Sequence, residues 1–145
     1  MPFHLATEPG SPGRDNEDFV AVTADGAVLL DGASAPLDTD IGCVHGVAWF
    51  TRRLGGLLLA GIVGDRPLRE VLAEAVTTVS GLHRDTCDLS AQETPSATVI
   101  MVRFRGTHLE HLVLSDSVLL LEHTDGSVRP LTDTRLDDLR ADLAR

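Results

Sequence analysis

The chain has 145 residues, 43% hydrophobic and 23% charged, which suits one domain with a real core and excludes a disordered chain. A net charge of −10 and a pI near 4.8 exclude the Lys/Arg stripe that binds nucleic acid or an anionic membrane. All twelve basic residues are arginine, a usage that points to a GC-rich, bacterial coding sequence.

In chain order, residues 1–4 show no basic stretch followed by an apolar core, so no secretory signal is expected. Phe19-Val20-Ala21-Val22 and Ala27-Val28-Leu29-Leu30 flank Asp25-Gly26. Asp-Gly between two apolar runs predicts a tight hairpin, because that turn needs positive φ. A helix is expected over about 43–59, with Val44, Val47, Ala48 and Leu58 among its apolar positions and Trp49 in the core. Its apolar run at 54–64 is too short for a bilayer, which takes about 20 residues. A second helix is expected over 68–82, where Leu68, Val71, Leu72, Ala75, Val76, Val79 and Leu82 recur at 3.6-residue spacing. Asp65 can cap it and Pro67 suits its first turn. Two more hairpins follow, 97–104 with 109–114 around Arg105-Gly106, and 118–122 with 128–131 around Asp125-Gly126. A short charged helix over 134–144 ends the reading. Strands, then two helices, then strands joined by hairpins predict an α+β fold built on antiparallel sheets.

Two acidic segments stand out. Arg14-Asp15-Asn16-Glu17-Asp18 leads into the first strand, and Asp31-Gly32 ends the second. The hairpin brings those ends together, so Glu17 or Asp18 is expected beside Asp31, where carboxylate oxygens suit Mg²⁺ or Mn²⁺. Glycine after the aspartate lets the backbone approach closely, so its carbonyl can serve as well. Each segment taken alone also reads as a solvated loop and a turn.

Two later segments sharpen the pattern: Thr94-Pro95-Ser96-Ala97-Thr98 opens a strand, and Ser115-Asp116-Ser117 links two strands. In this order, from about residue 14 to 131, the motifs resemble the type 2C (PPM) metal-dependent protein phosphatases. The resemblance implies the N-terminal part of an α-β-β-α sandwich with a two-metal site. Asp31 would then bridge two Mn²⁺ or Mg²⁺ ions and Gly32 would offer its carbonyl. Glu17 would stand at the metal edge with Asp18 behind it, and Asp116 would approach a further, weaker metal. A water held between the metals would attack the phosphorus of a phosphoserine or phosphothreonine protein. Arg14 is the candidate phosphate clamp, although the family places its arginine four residues before the Glu and here the spacing is three. The family's Asp-Gly-x-Gly-Gly-His becomes Asp31-Gly32-Ala33-Ser34-Ala35-Pro36. The next histidine, His45, is then the candidate general acid, or else a packing residue at a helix start. The family closes its site with two further aspartates from C-terminal strands that this sequence does not show, so the domain is expected to be incomplete. Asp133, Asp137, Asp138 and Asp142 read as a solvated helix face. The alternative function is a truncated, non-catalytic module that binds a protein partner, and an uncovered sheet face would favour self-association.

Cys43 and Cys87 show no disulfide framework, and a reduced cytoplasm is the plain expectation. With His45 and His83 they form Cys-x-His and His-x₃-Cys pairs. Neither is a standard zinc spacing, so no zinc site is expected from them. His108 and His111 are an odd number apart and so face opposite sides of a strand.

Overall fold

The computed structural model describes residues 2–33, 41–91 and 93–135. β1 (Phe19–Val22) and β2 (Gly26–Ala33) pair antiparallel with Phe19 opposite Leu30 and Val22 opposite Ala27. β2 then pairs with β3 (Ser96–Arg105), and β3 with β4 (His108–Leu114). The result is an antiparallel sheet of order β1-β2-β3-β4; β5 (Leu119–Glu122) and β6 (Val128–Leu131) form a separate two-stranded ladder. Gly106 and Gly126 hold positive φ in the last two hairpin turns, the conformation glycine adopts without steric cost.

Two 16-residue helices, α1 (Val47–Ile62) and α2 (Leu68–His83), cover one face of the sheet. Alternation along the strands sends Val28 and Leu30 of β2 and Val99 and Met101 of β3 into the core with Leu54, Leu58, Ile62, Leu68, Val71, Ala75 and Val79. On the opposite face the register lines up Leu29 with Ile100 and Ile100 with Val113.

The helices depart from the sequence reading at their ends. α1 starts at Val47 and not at 43, because Gly46 takes φ 78°, outside the helical region. Cys43 and His45 therefore stand ahead of the helix. Asp65 does not cap α2; it pairs with Arg105, and Pro67 occupies the cap position. The buried stripe of α2 is narrower than its apolar pattern: Val76 and Leu82 are exposed, and His83 is buried in their stead.

Arg103 closes the far end of α1. It is 3% exposed and its guanidinium donates to the carbonyls of Ile62 (3.3 Å), Gly64 (2.6 Å) and Arg66 (2.6 Å). Its Nε and Nη2 also reach the Glu110 carboxylate at 2.9 and 2.7 Å. Carbonyls left over at a helix C-terminus need donors, and a cation there also matches the helix dipole.

Candidate functional site: an acidic cavity and a cysteine–histidine cluster

The first hairpin sets up the acidic site. Phe19 pairs with Leu30, so the residues just beyond, Asp18 and Asp31, come together at the open end. Asn16 accepts the Asp18 backbone N–H at 3.0 Å and turns the chain into β1. Gly32 allows the closest approach: a Cβ there would lie 2.3 Å from the Glu17 carbonyl oxygen and 2.7 Å from Val47 Cγ1. The end of β2 is thus wedged between the acidic loop and the first turn of α1.

A cavity of about 300 Å³ opens here, lined by Glu8, Asp15, Glu17, Asp18, Asp31 and Gly32, with Arg14 as its cation. Arg14 Nη2 stands 3.6 Å from Glu17 Oε1. Partial burial raises the Asp31 carboxyl above the ordinary carboxylate range; the charge of Asp18, a hydrogen bond with Asp18 and the charge of Asp116 raise it further. Carboxylates gathered from three segments repel one another, and a hard divalent cation relieves that repulsion. The donor set therefore fits Mg²⁺ or Mn²⁺.

Asp116 lies in the β4–β5 connection. Thr98 is the β3 partner of Asp31, and its hydroxyl bonds the Ser117 hydroxyl at 2.5 Å. That bond draws the β4–β5 connection toward the end of β2. Ser115 carries φ 68°, and its N–H donates to Asp133 Oδ2 at 3.3 Å while the Asp133 N–H returns to the Ser115 carbonyl at 3.2 Å. Asp133 is therefore a brace for this turn and not part of a solvated helix face. Its carboxyl is held low by the Arg135 guanidinium. Asp137, Asp138, Asp142 and the helix expected around them lie outside the described residues, as do Ser34, Ala35 and Pro36.

Glu17, Asp18, Asp31, Gly32 and Arg14 thus meet in one cavity; Asp116 does not line it, and only its charge reaches Asp31. His45 does not line that cavity. The non-helical turn at Gly46 leaves it in a second cluster, which the spacing argument dismissed. Cys43 Sγ is 3.4 Å from Cys87 Sγ, 3.4 Å from His83 Nδ1 and 3.9 Å from His45 Nδ1. Cys87 Sγ is 3.3 Å from His45 Nδ1. Trp49 stacks on His45 at 4.3 Å and meets His83 edge-on at 4.7 Å, so it walls this cluster while also packing against the core. Desolvation would raise the Cys87 thiol, but hydrogen bonds with Thr86, His83, Cys43 and the Val44 backbone outweigh it and bring it down to about 5. Burial pushes the Cys43 thiol up.

A helix-backed antiparallel sheet with carboxylates converging at the end of its second strand is a scaffold suited to hard cations. Its family is explicit: the model for protein phosphatase 2C matches residues 7–139, and the chain belongs to that family. Among solved structures it is similar to the Mycobacterium tuberculosis serine/threonine phosphatase PstP/Ppp, with a TM-score of 0.63 and 19% identity over 93% of this chain. It is similar too to the catalytic domain of serine threonine protein phosphatase PstP in complex with two manganese ions, with a TM-score of 0.69 and 19% identity over 94% of this chain. The chain spans 57% and 58% of those two structures. No curated protein matches it.

Proposed function

We propose that this chain is the N-terminal portion of a metal-dependent phosphatase domain that hydrolyses phosphoserine and phosphothreonine in proteins, using Mn²⁺ or Mg²⁺. The carrying observation is that Glu17 and Asp18, from the loop before β1, and Asp31 and Gly32, from the end of β2, line one acidic cavity. Asp31 is the central ligand and Gly32 offers its carbonyl. Glu17 and Asp18 hold the near edge, and Asp116 stands toward a further ion. Bound there, two such cations lower the pKa of a water and neutralise charge on the transferred phosphoryl group. Arg14, exposed at the cavity mouth and tied loosely to Glu17, is placed to swing onto the phosphate oxygens as a bidentate donor. His45 has no part in this reading, since its ring is engaged by Cys87 and Trp49.

The phosphoprotein partner and a reducing, cytoplasmic setting belong to the same proposal. A second reading is a non-catalytic phosphatase-like module. In that case the face carrying Leu29, which is 38% exposed, is the surface for a partner or for self-association. Titration calorimetry with MnCl₂ and phosphate release from a phosphothreonine peptide separate the two. Manganese binding with turnover, both lost in Asp31→Asn, supports the enzyme. Binding without turnover selects the module. Unchanged manganese affinity in Asp31→Asn removes the site altogether.

A further inference from the structure

The geometry points to a second, chemically different metal site: a structural zinc centre held by Cys43, His45, His83 and Cys87. Each residue offers one donor atom, and all four atoms lie within 4.8 Å of one another. Tetrahedral zinc, with Zn–S near 2.3 Å and Zn–N near 2.0–2.1 Å, spaces its donors roughly 3.3–3.8 Å apart. The separations of 3.4 Å (Cys43 to Cys87), 3.4 Å (Cys43 to His83), 3.3 Å (Cys87 to His45) and 3.9 Å (Cys43 to His45) lie in or next to that interval. Both cysteines are free.

His83 carries the cluster into the interior. His83 is 2% exposed and its Nε2 is buried with no hydrogen-bond partner. Burying an imidazole with an unsatisfied nitrogen costs about 1–3 kcal/mol, a cost that a metal bound through Nε2 would offset; a metal bound through Nδ1, the nitrogen that faces Cys43 Sγ, would instead fix the ring proton on Nε2. The backbone is also shaped for convergence. Gly42 takes φ +64°, and a Cβ there would sit 2.6 Å from the Asp88 carbonyl oxygen. The Asp88 N–H donates to the Gly42 carbonyl at 2.7 Å, so the segments holding the two cysteines are already joined.

The centre would clip the start of α1 to the end of α2, opposite the short link that joins the helices at 63–67. Val47, two residues past His45, is the residue against Gly32, so the clip fixes the helix turn behind the acidic cavity without touching it. Softness separates the two sites: thiolate and imidazole select zinc, whereas the carboxylate rim prefers magnesium or manganese.

The test is elemental analysis of the chain purified in reductant and loaded with ZnCl₂, followed by cobalt(II) substitution. One zinc per chain is expected, and the cobalt form should show thiolate-to-metal charge transfer with the intense visible bands of a tetrahedral centre. Cys43→Ser/Cys87→Ser should lose both, while Asp31→Asn keeps the zinc even if the phosphatase reading fails. Should the double variant not fold, thiol titration of the unaltered chain decides. Two thiols protected until a chelator is added support the site. Two freely reactive thiols after zinc loading, a Cys43–Cys87 disulfide that persists in reductant, or a cobalt spectrum that stays octahedral overturns it.

Discussion

Gly55 and Gly56 are neighbours in α1, yet alanine should act on them with opposite sign. A Cβ at Gly55 would meet the Phe19 ring at 2.2, 2.5 and 2.5 Å, whereas one at Gly56 meets nothing within 4 Å. Carbon atoms rest about 3.5–4.0 Å apart, so Gly55→Ala requires ring or helix to move by more than an ångström. Such overpacking costs about 1–3 kcal/mol. The intrinsic gain from alanine over glycine in a helix, about 1 kcal/mol, reduces but does not reverse it. Gly56→Ala keeps that gain whole. At about 3 °C per kcal/mol for a chain of this size, Gly56→Ala should raise Tm by about 3 °C, and Gly55→Ala should lower it by up to about 6 °C. Phe19 follows Asp18 directly, so the Gly55 variant should also weaken Mn²⁺ binding, and the Gly56 variant should not. Differential scanning calorimetry and MnCl₂ titration read both effects. Tm shifts of the same sign would refute the packing argument.

Arg103→Met should lower stability by about 3 kcal/mol, read by urea denaturation, because it strands the buried Ile62 carbonyl and unpairs Glu110. The Arg103 guanidinium holds the Glu110 carboxyl below its ordinary value. Its contribution is therefore full above the unfolded pKa, about 4.3, and is lost as pH falls through the lower folded value; the Met variant should lack that acid-side loss. Thr98→Val keeps the shape but removes the bond to Ser117. Calorimetry should show Mn²⁺ affinity down by up to about tenfold, roughly 1.4 kcal/mol, with little change in Tm, and an unchanged affinity would detach Asp116 from the site.

The hairpins were legible because local chemistry sets them: Gly106 and Gly126 turn with positive φ where apolar runs end, whereas in the first hairpin Gly26 already belongs to β2 without positive φ and the expected Asp25-Gly26 tight turn does not form. Asp18 beside Asp31 followed from the first hairpin alone. The β2–β3 pairing did not, since it spans both helices and no local signal marks Asp31 opposite Thr98; the approach of Asp116 came only through the family resemblance. Helix starts were misjudged where one backbone conformation outweighs propensity. The sequence pattern carries helix-compatible residues through 43–46, and the positive φ of Gly46 leaves Cys43 and His45 ahead of α1.

The cysteine–histidine cluster was missed because a spacing rule looks for pairs close in sequence, whereas these pairs lie on either side of a helical hairpin, with Cys43 and His83 40 residues apart. A signal was nonetheless present. Two helices of 16 residues each, at 1.5 Å per residue, are both about 24 Å long. Joined by a short link, they must run back to back, so the residues just before the first meet those at the end of the second. Cys43 and His45 occupy the first place, His83 and Cys87 the second. Chain geometry alone brings the four together, and His83, buried where the apolar stripe called for Leu82, is the residue that departs from a plain packing pattern.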